Sequence, residues 1–237
     1  MTKYEEIIAL RQELKRPSVF RHHNIQLRMV LWHATIRSSV CFKRLMDILL
    51  SVLAVILGSP VFLITALLVK VTSPGPIIFS QVRVGRYGRH FKFYKFRSMY
   101  IDAEARKAEL LKLNESGDGV IFKMKHDPRI TPVGRFIRKF SIDELPQLFN
   151  VLLGDMSLVG PCPPLPAEVR TYTLEERKRL NITPGITCLW QVSGRSELPF
   201  SKQIALDKEY IASRGAWKDF LILLKTVPAI LTGKGAW

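Results

Sequence analysis

The stretch Ile48–Val69 constrains this chain more than any other. It runs for about 22 residues without a formal charge, long enough as a helix to cross a hydrocarbon core of roughly 30 Å. Gly58-Ser59-Pro60 interrupts it. Proline removes a backbone donor and clashes with the turn before it, Gly58 weakens the helix upstream, and Ser59 can bond back to a freed carbonyl. The segment is then either a kinked span or two short helices that enter a leaflet and turn back. A buried core helix fits this length less well. Arg37, Lys43 and Arg44 precede the stretch, and Lys70, Arg83, Arg86 and Arg89 follow it. Basic residues beside a membrane segment favour the cytoplasmic side, and here both flanks are basic. A re-entrant helix–break–helix centred on Ser59 and Pro60 satisfies that rule; a simple span does not.

The 237 residues leave room for one sizeable domain and an anchor. A net charge of +16 and a pI near 10.0 point to a polyanionic partner: anionic lipid, nucleic acid or phosphates. Cys41, Cys162 and Cys188 are odd in number, scattered and not at metal-ligand spacing, which suggests free thiols in a reducing compartment. Residues 1–16 carry Glu5, Glu6 and Glu13 and no apolar core, so they are not a secretory signal. The expected arrangement is a cytoplasmic catalytic body held on the membrane face.

Residues 4–16 have helical amphipathicity, and residues 20–37 continue it with Trp32 among Arg21, Arg28 and Arg37. They read as a headgroup-level helix or as one packed on the domain or a partner. After Thr72-Ser73-Pro74-Gly75-Pro76, the segments Ile77–Val84 and Phe91–Met99 predict a hairpin joined by Gly85-Arg86-Tyr87-Gly88. A bulge or an early strand end is expected at Phe93-Tyr94, where the alternation slips. From Arg83 to Arg97 there are six Lys/Arg and no acid, interleaved with Phe91, Phe93, Tyr94 and Phe96. This strip suits nucleic acid, lipid headgroups or phosphates, or is simply a solvated basic face. Residues 102–113 predict a charged surface helix and Asn114–Gly119 a loop. Residues 166–180 and 198–214 predict amphipathic helices, and Phe220–Leu231 predicts an interfacial helix near Trp217 and Trp237 or one packed on the core.

The passage Ser141-Ile142-Asp143-Glu144-Leu145-Pro146-Gln147 opens a helical run that Gly154 should end. Ser141 and Glu144 have capping-box spacing, but Pro146 fits the first turn better if Asp143 caps the helix. Either start places adjacent carboxylates at a helix N-terminus, where backbone amides favour the ionised form. An ionised Asp can attack phosphorus, its neighbour can hold a divalent metal, and Arg135, Arg138 and Lys139 could clamp phosphate oxygens. The bland alternative is a capped helix and nothing more.

A wider set of motifs now stands in order along the chain. These are Lys43-Arg44-Leu45-Met46-Asp47, the Ser59-Pro60 break, Tyr94-Lys95-Phe96-Arg97-Ser98-Met99, Ser141 to Asn150, and Gly154-Asp155-Met156-Ser157-Leu158-Val159-Gly160-Pro161. Pro184-Gly185-Ile186-Thr187, Gln191-Val192-Ser193-Gly194-Arg195 and Leu206-Asp207 complete it. Over residues 41–237 the chain resembles the bacterial sugar transferases, the monotopic polyprenyl-phosphate phosphoglycosyl transferases. The resemblance implies transfer of a sugar-1-phosphate from a UDP-sugar to polyprenyl (undecaprenyl) phosphate with release of UMP, a first membrane step of glycan assembly. It implies magnesium as cofactor, Asp143 as covalent nucleophile, and Glu144 as metal ligand or acid/base partner. Arg138 matches a phosphate-binding position, with Lys95, Arg97 and Arg195 as further candidate phosphate contacts and Asp207 as a polar, candidate metal-binding position.

The implied fold is mixed α/β. A re-entrant anchor (41–71) and a compact catalytic domain (72–237) with a small β-hairpin and interfacial helices follow an N-terminal amphipathic extension (1–40). The expected partners are the UDP-sugar donor, polyprenyl phosphate and inner-leaflet lipid, with no nucleic acid and with homo-oligomerisation open. Two departures stand out. The family has Arg where this chain has Cys162, in Gly160-Pro161-Cys162-Pro163, and often Gly where it has Cys188. One lost charged hydrogen bond to phosphate costs about 1.5–3 kcal/mol. Cys162 therefore leaves open a catalytically impaired scaffold, and the basic strip leaves open a membrane-bound nucleic-acid binder.

Overall fold

The computed structural model describes residues 19–110, 124, 126–233 and 235, with side-chain surroundings from Ser38 onward except at 107, 108 and 196. The expectations for residues 4–16, for the loop 114–119, for the side chains of 20–37 and for Trp237 lie outside the described residues. Two compact units divide the chain, 1–45 and 46–237. The second holds the β-strands and the candidate site.

Helix α1 (Val19–Thr72) runs through Pro60 without a break in its helical assignment. The reason is local. Pro60 has no N–H to give the Ile56 carbonyl, and the Ser59 hydroxyl donates to that carbonyl instead, at 2.8 Å. The inward face continues across the proline. Asp47, Ser51, Thr65 and Val69 are buried, with Gly58 and Phe62 partly buried between them. The Asp47 carboxylate accepts the Leu158 N–H at 3.1 Å, and Phe62 meets Phe96 and Phe149 edge-on. The opposite face exposes Leu49, Leu53, Ile56, Leu57, Leu63, Ile64, Leu67 and Val71. Ser38–Thr72 is long and apolar enough to cross a membrane.

The rest of the fold is mixed α/β with small sheets. Strands β1 (Ile78–Val84) and β2 (His90–Phe96) pair antiparallel from Ile78↔Phe96 to Val84↔His90, joined by a 3-10 turn, Arg86–Gly88. The register is unbroken at Phe93-Tyr94, so no bulge forms there; the strand ends at Phe96, short of Met99. What holds the irregular stretch is Asn150. Its side-chain amide donates to the Lys92 carbonyl at 2.6 Å and accepts the Tyr94 N–H at 3.1 Å, pairing with the outer edge of β2 as a strand would. Phe91, Phe93 and Phe96 are all buried, so three of the four rings of the basic strip form core rather than a stacking surface; Tyr94 is half-buried.

Helix α2 (Ala103–Leu110) is the described part of the predicted charged helix. Helix α3 (Pro132–Lys139) carries Arg135, Arg138 and Lys139: Thr131 caps it by accepting the Gly134 N–H at 2.9 Å, and Pro132 fills its first turn. Neither Ser141 nor Asp143 caps the next helix. Asp143 lies in a separate 3-10 turn, Ile142–Glu144, and α4 (Gln147–Leu153) starts after Pro146 and stops at Gly154, whose φ is 92°. The proline sets that start, because it is tolerated at or just before the first turn of a helix and not in its interior.

Strands β3 (Ser157–Val159) and β4 (Gly185–Thr187) pair in parallel. Their close approach requires glycine: a Cβ on Gly185 would fall onto the Gly160 backbone nitrogen. The expected helix over 166–180 is divided into α5 (Pro166–Thr171), α6 (Leu174–Arg177) and a 3-10 turn, because Thr173 starts a new capping box with Glu176. Helices α7 (Phe200–Ser213) and α8 (Ala216–Thr232) close the chain. On α8, Ile222 is buried while Trp217, Phe220, Leu224, Val227 and Leu231 are exposed.

Asn150→Ala leaves a part-buried donor and a part-buried acceptor of β2 without this partner. It should lower stability by roughly 2–4 kcal/mol, measured by denaturant unfolding in detergent.

Candidate active site

A cleft of about 1320 Å³ opens beside β2, lined among others by Lys95, Arg97, Arg138, Ser141, Asp143, Glu144, Cys162, Arg179, Trp190, Gln191 and Arg195. Every predicted site residue except Asp207 and the helix pair Ser59–Pro60 lines it.

Asp143 and Glu144 are carried by the short turn between α3 and α4. That turn begins at Ser141 in the left-handed region, φ 53°. The Ser141 hydroxyl accepts from Arg195 Nη2 at 2.9 Å, and Arg195 is itself left-handed, φ 52°. Non-glycine residues seldom hold this conformation, and two of them bonded to one another beside a carboxylate pair mark a strained, over-determined site. In the sequence Ser141 is marked only as one of two candidate helix starts, beside the better-fitting Asp143. In the structure it places the carboxylate turn and anchors an arginine.

Lys95 reaches the pair from β2. Its Nζ lies 2.7 Å from Glu144 Oε1 and 3.5 Å from Asp143 Oδ2. Burial disfavours the Lys95 ammonium, but Glu144 and then Asp143 outweigh it and hold its pKa above the ordinary lysine value. Burial pushes the Asp143 carboxyl above its ordinary range; Lys95 opposes this most strongly, Glu144 reinforces it, and Arg138 opposes it further. Ionisation of Asp143 therefore depends on Lys95 rather than on the helix amides that the sequence reading invoked.

The cations divide into two groups. Arg97 donates to the Ser73 and Pro74 carbonyls, both at 2.6 Å, and so ties the end of α1 to β2. Arg83 donates to the Pro163 carbonyl at 3.1 Å, and Arg179 lies 2.6 Å from Asp207. These are committed to the chain. The Arg138 side chain, by contrast, has no hydrogen-bond or ion-pair partner among the described residues, and Arg195 Nη1 is buried without one. An anion entering beside Asp143 would meet those two guanidiniums first.

Asp207 is fully buried, and burial raises its pKa to about 6 while Arg179 pulls it back. It is not among the residues that line the cleft, and its partner Arg179 is. Nothing in the sequence marked Arg179; it sits in a run of charges, Glu175 to Arg179, whose other members are surface residues.

The described residues hold no group of three His, Cys, Asp or Glu that could form an all-protein metal cage. Asp143 and Glu144 do fit an ion of the magnesium type. Such an ion is commonly held by one or two carboxylates, with substrate phosphates and water completing its shell.

The bacterial sugar transferase family model matches residues 38–233 of this chain. Over 163 residues the chain is 53% identical to galactosyl transferase CpsE of Streptococcus agalactiae, covering 68% of this chain and 36% of that protein. It is 43% identical over 223 residues to the undecaprenyl-phosphate galactose phosphotransferase of Salmonella typhimurium, covering 91% of this chain and 46% of that protein. With the exopolysaccharide production protein ExoY of Sinorhizobium fredii it shares 37% identity over 198 residues, 82% of this chain and 88% of that protein. The chain thus spans less than half the length of the first two relatives and most of the third. By the extent of the family match and the identity to these relatives, this chain belongs to the bacterial sugar transferase family.

Proposed function

We propose that this protein transfers a sugar-1-phosphate from a UDP-sugar to polyprenyl phosphate and releases UMP, through a covalent adduct on Asp143. The observation that carries this reading is the Asp143–Glu144 pair bridged by Lys95, with Arg138 and Arg195 Nη1 uncommitted beside it. The names of the relatives, an undecaprenyl-phosphate galactose phosphotransferase among them, support the substrate class.

The Asp143 carboxylate attacks the sugar-bearing phosphorus; the P–O bond to the nucleotide breaks and UMP leaves. An oxygen of polyprenyl phosphate then attacks the same phosphorus, the acyl phosphate bond breaks, and Asp143 returns to its starting state. Lys95 keeps Asp143 ionised and orients Glu144. Arg138 and Arg195 hold phosphate oxygens, since phosphoryl transfer depends chiefly on positioning and charge stabilisation. Glu144 and Asp143 would hold magnesium, which would screen the repulsion between carboxylate and phosphate. The exposed apolar faces of α1 and α8 support seating in a leaflet. The basic flanks support a re-entrant α1 that bends at Ser59-Pro60 and keeps both of its ends on the cytoplasmic face. Arg83 and Arg179 beside Cys162 keep the wall cationic where the family carries arginine, which favours an active enzyme over a silent scaffold.

UMP release from a panel of UDP-sugars in the presence of magnesium and polyprenyl phosphate tests the reading. Asp143→Asn should lower turnover by about a thousandfold or more. Turnover at wild-type rate in that variant overturns the mechanism.

Arg138→Ala and Arg195→Ala should each cost roughly ten- to a hundredfold in kcat/KM, the equivalent of one charged hydrogen bond.

The pH profile follows from the sign of the Asp143 shift. The nucleophile must be ionised and its pKa is raised, so the rate falls on acidification above the ordinary aspartate value. Lys95→Met removes the main opposing charge, so the acid limb should move to still higher pH. An unchanged limb in that variant would contradict the role given to Lys95.

A further inference from the structure

Cys162 and Cys188 lie apart in the sequence but meet in the fold, their sulfurs 3.4 Å from one another. The parallel pairing of Val159 with Thr187 brings the two ends together, since Cys162 follows β3 and Cys188 follows β4 directly. Both thiols are free; Cys162 is half-buried on the cleft wall and Cys188 is buried behind it. The backbone is fixed on both sides of the pair. Arg179 holds the Cys162 carbonyl at 3.1 Å, Arg83 holds that of Pro163, and the Val192 N–H bonds to the Cys188 carbonyl at 3.3 Å. A disulfide needs the sulfurs at about 2.05 Å, so closing the gap pulls on both of these held segments.

We propose that Cys162 and Cys188 are an oxidisable pair, converted by a hydroperoxide into an intrachain disulfide that fixes the cleft wall. Cys162 is the sulfur the oxidant can reach, and the charges of Arg83 and Arg179 are felt there, so negative charge developing on it meets two cations. Its sulfur attacks one peroxide oxygen, the O–O bond breaks, the alcohol or water leaves with the thiol proton, and a sulfenic acid remains. The Cys188 sulfur then attacks that sulfur, the S–S bond forms, and the hydroxyl leaves as water with the Cys188 proton. Two thiols lose two hydrogens while one hydroperoxide is reduced. Burial holds the Cys188 thiol well above its ordinary pKa, with the Cys162 contact second, which keeps it from direct oxidation; its place 3.4 Å from Cys162 is what fits it to the second step.

The bond bears on the site through short links. Cys188 leads into Trp190, whose carbonyl accepts the Arg195 N–H at 3.1 Å, and Arg195 in turn binds Ser141 ahead of the carboxylate pair. A shift of Cys188 towards Cys162 therefore displaces the segment that delivers Arg195. Slower turnover in the oxidised form follows, and this consequence rests on the proposed function; the disulfide itself does not.

The test uses the full chain with Cys41→Ser, treated with hydrogen peroxide, blocked with a maleimide and mapped by peptide mass. The expected product is a Cys162–Cys188 linked peptide, with an intact mass lower by two hydrogens and full reversal by dithiothreitol. Cys188→Ala should abolish the link and leave a sulfenic acid at Cys162 that dimedone traps. Recovery of both thiols alkylated, or over-oxidation of Cys162 with Cys188 still alkylated, would overturn the pairing whatever the enzyme does. On the same samples, UMP release should fall severalfold on oxidation and return with dithiothreitol, and Cys188→Ala should be insensitive. A linked protein with unchanged turnover would overturn the effect on the site and leave the pairing standing.

Discussion

One ammonium group organises the candidate site. Without Lys95, two adjacent carboxylates on a buried turn would repel one another and lose their hydration, and one or both would protonate. With Nζ 2.7 Å from Glu144 and 3.5 Å from Asp143, the pair can keep its charge in a place shielded from water. The cost of burying three charges is set against their mutual attraction, and the imbalance left over is borne by Asp143, whose proton affinity stays high. Under the proposed mechanism, a carboxylate paired in this way yet poorly solvated would be the nucleophile that attack on a phosphorus centre asks for.

The rest of the fold serves to hold that ammonium and that turn in register. Lys95 sits near the end of β2, and both sides of the strand are secured: β1 pairs along one edge, and Asn150 mimics a strand along the other. Asn150 belongs to α4, the helix that leaves the carboxylate turn, so the same residue ties donor strand and carboxylate turn together. Arg97 fastens the end of β2 to the residues that follow α1. An apolar helix with one buried face and one exposed face is thereby joined by few links to the chemistry.

Much of this was legible in the chain and some was not. The hairpin followed from alternation, and the carboxylate turn stood out because adjacent acids, a proline and upstream cations coincide at Asp143-Glu144. The ordered motifs then gave the family. Partners across long separations were not legible. Lys95 and Arg97 are two residues apart in one motif and look equivalent, yet one bridges carboxylates and the other caps backbone carbonyls, because β2 ends at Phe96 and Arg97 lies beyond it, beside Ser73 and Pro74. Asp207 carried a motif signal, while its partner Arg179, which faces the cleft, carried none. The break at Ser59-Pro60 was correctly read as a loss of one backbone donor. That the neighbouring hydroxyl would restore the Ile56 contact and keep the helical assignment continuous is a matter of rotamer, which sequence alone does not set. Cys162 and Cys188 could be noticed one by one; their contact arises only from the parallel pairing of β3 with β4.

The central claim is that Asp143 becomes covalently bonded to the sugar-bearing phosphorus, and intact-protein mass tests it most directly. The purified protein would be mixed with magnesium and each of several UDP-sugars, without lipid, beside Asp143→Asn. The account predicts an adduct of one sugar phosphate with a matching amount of UMP, absent in the variant and discharged on addition of polyprenyl phosphate. Rapid UMP release that requires polyprenyl phosphate and never passes through a mass adduct, or an adduct that survives in Asp143→Asn, would contradict it.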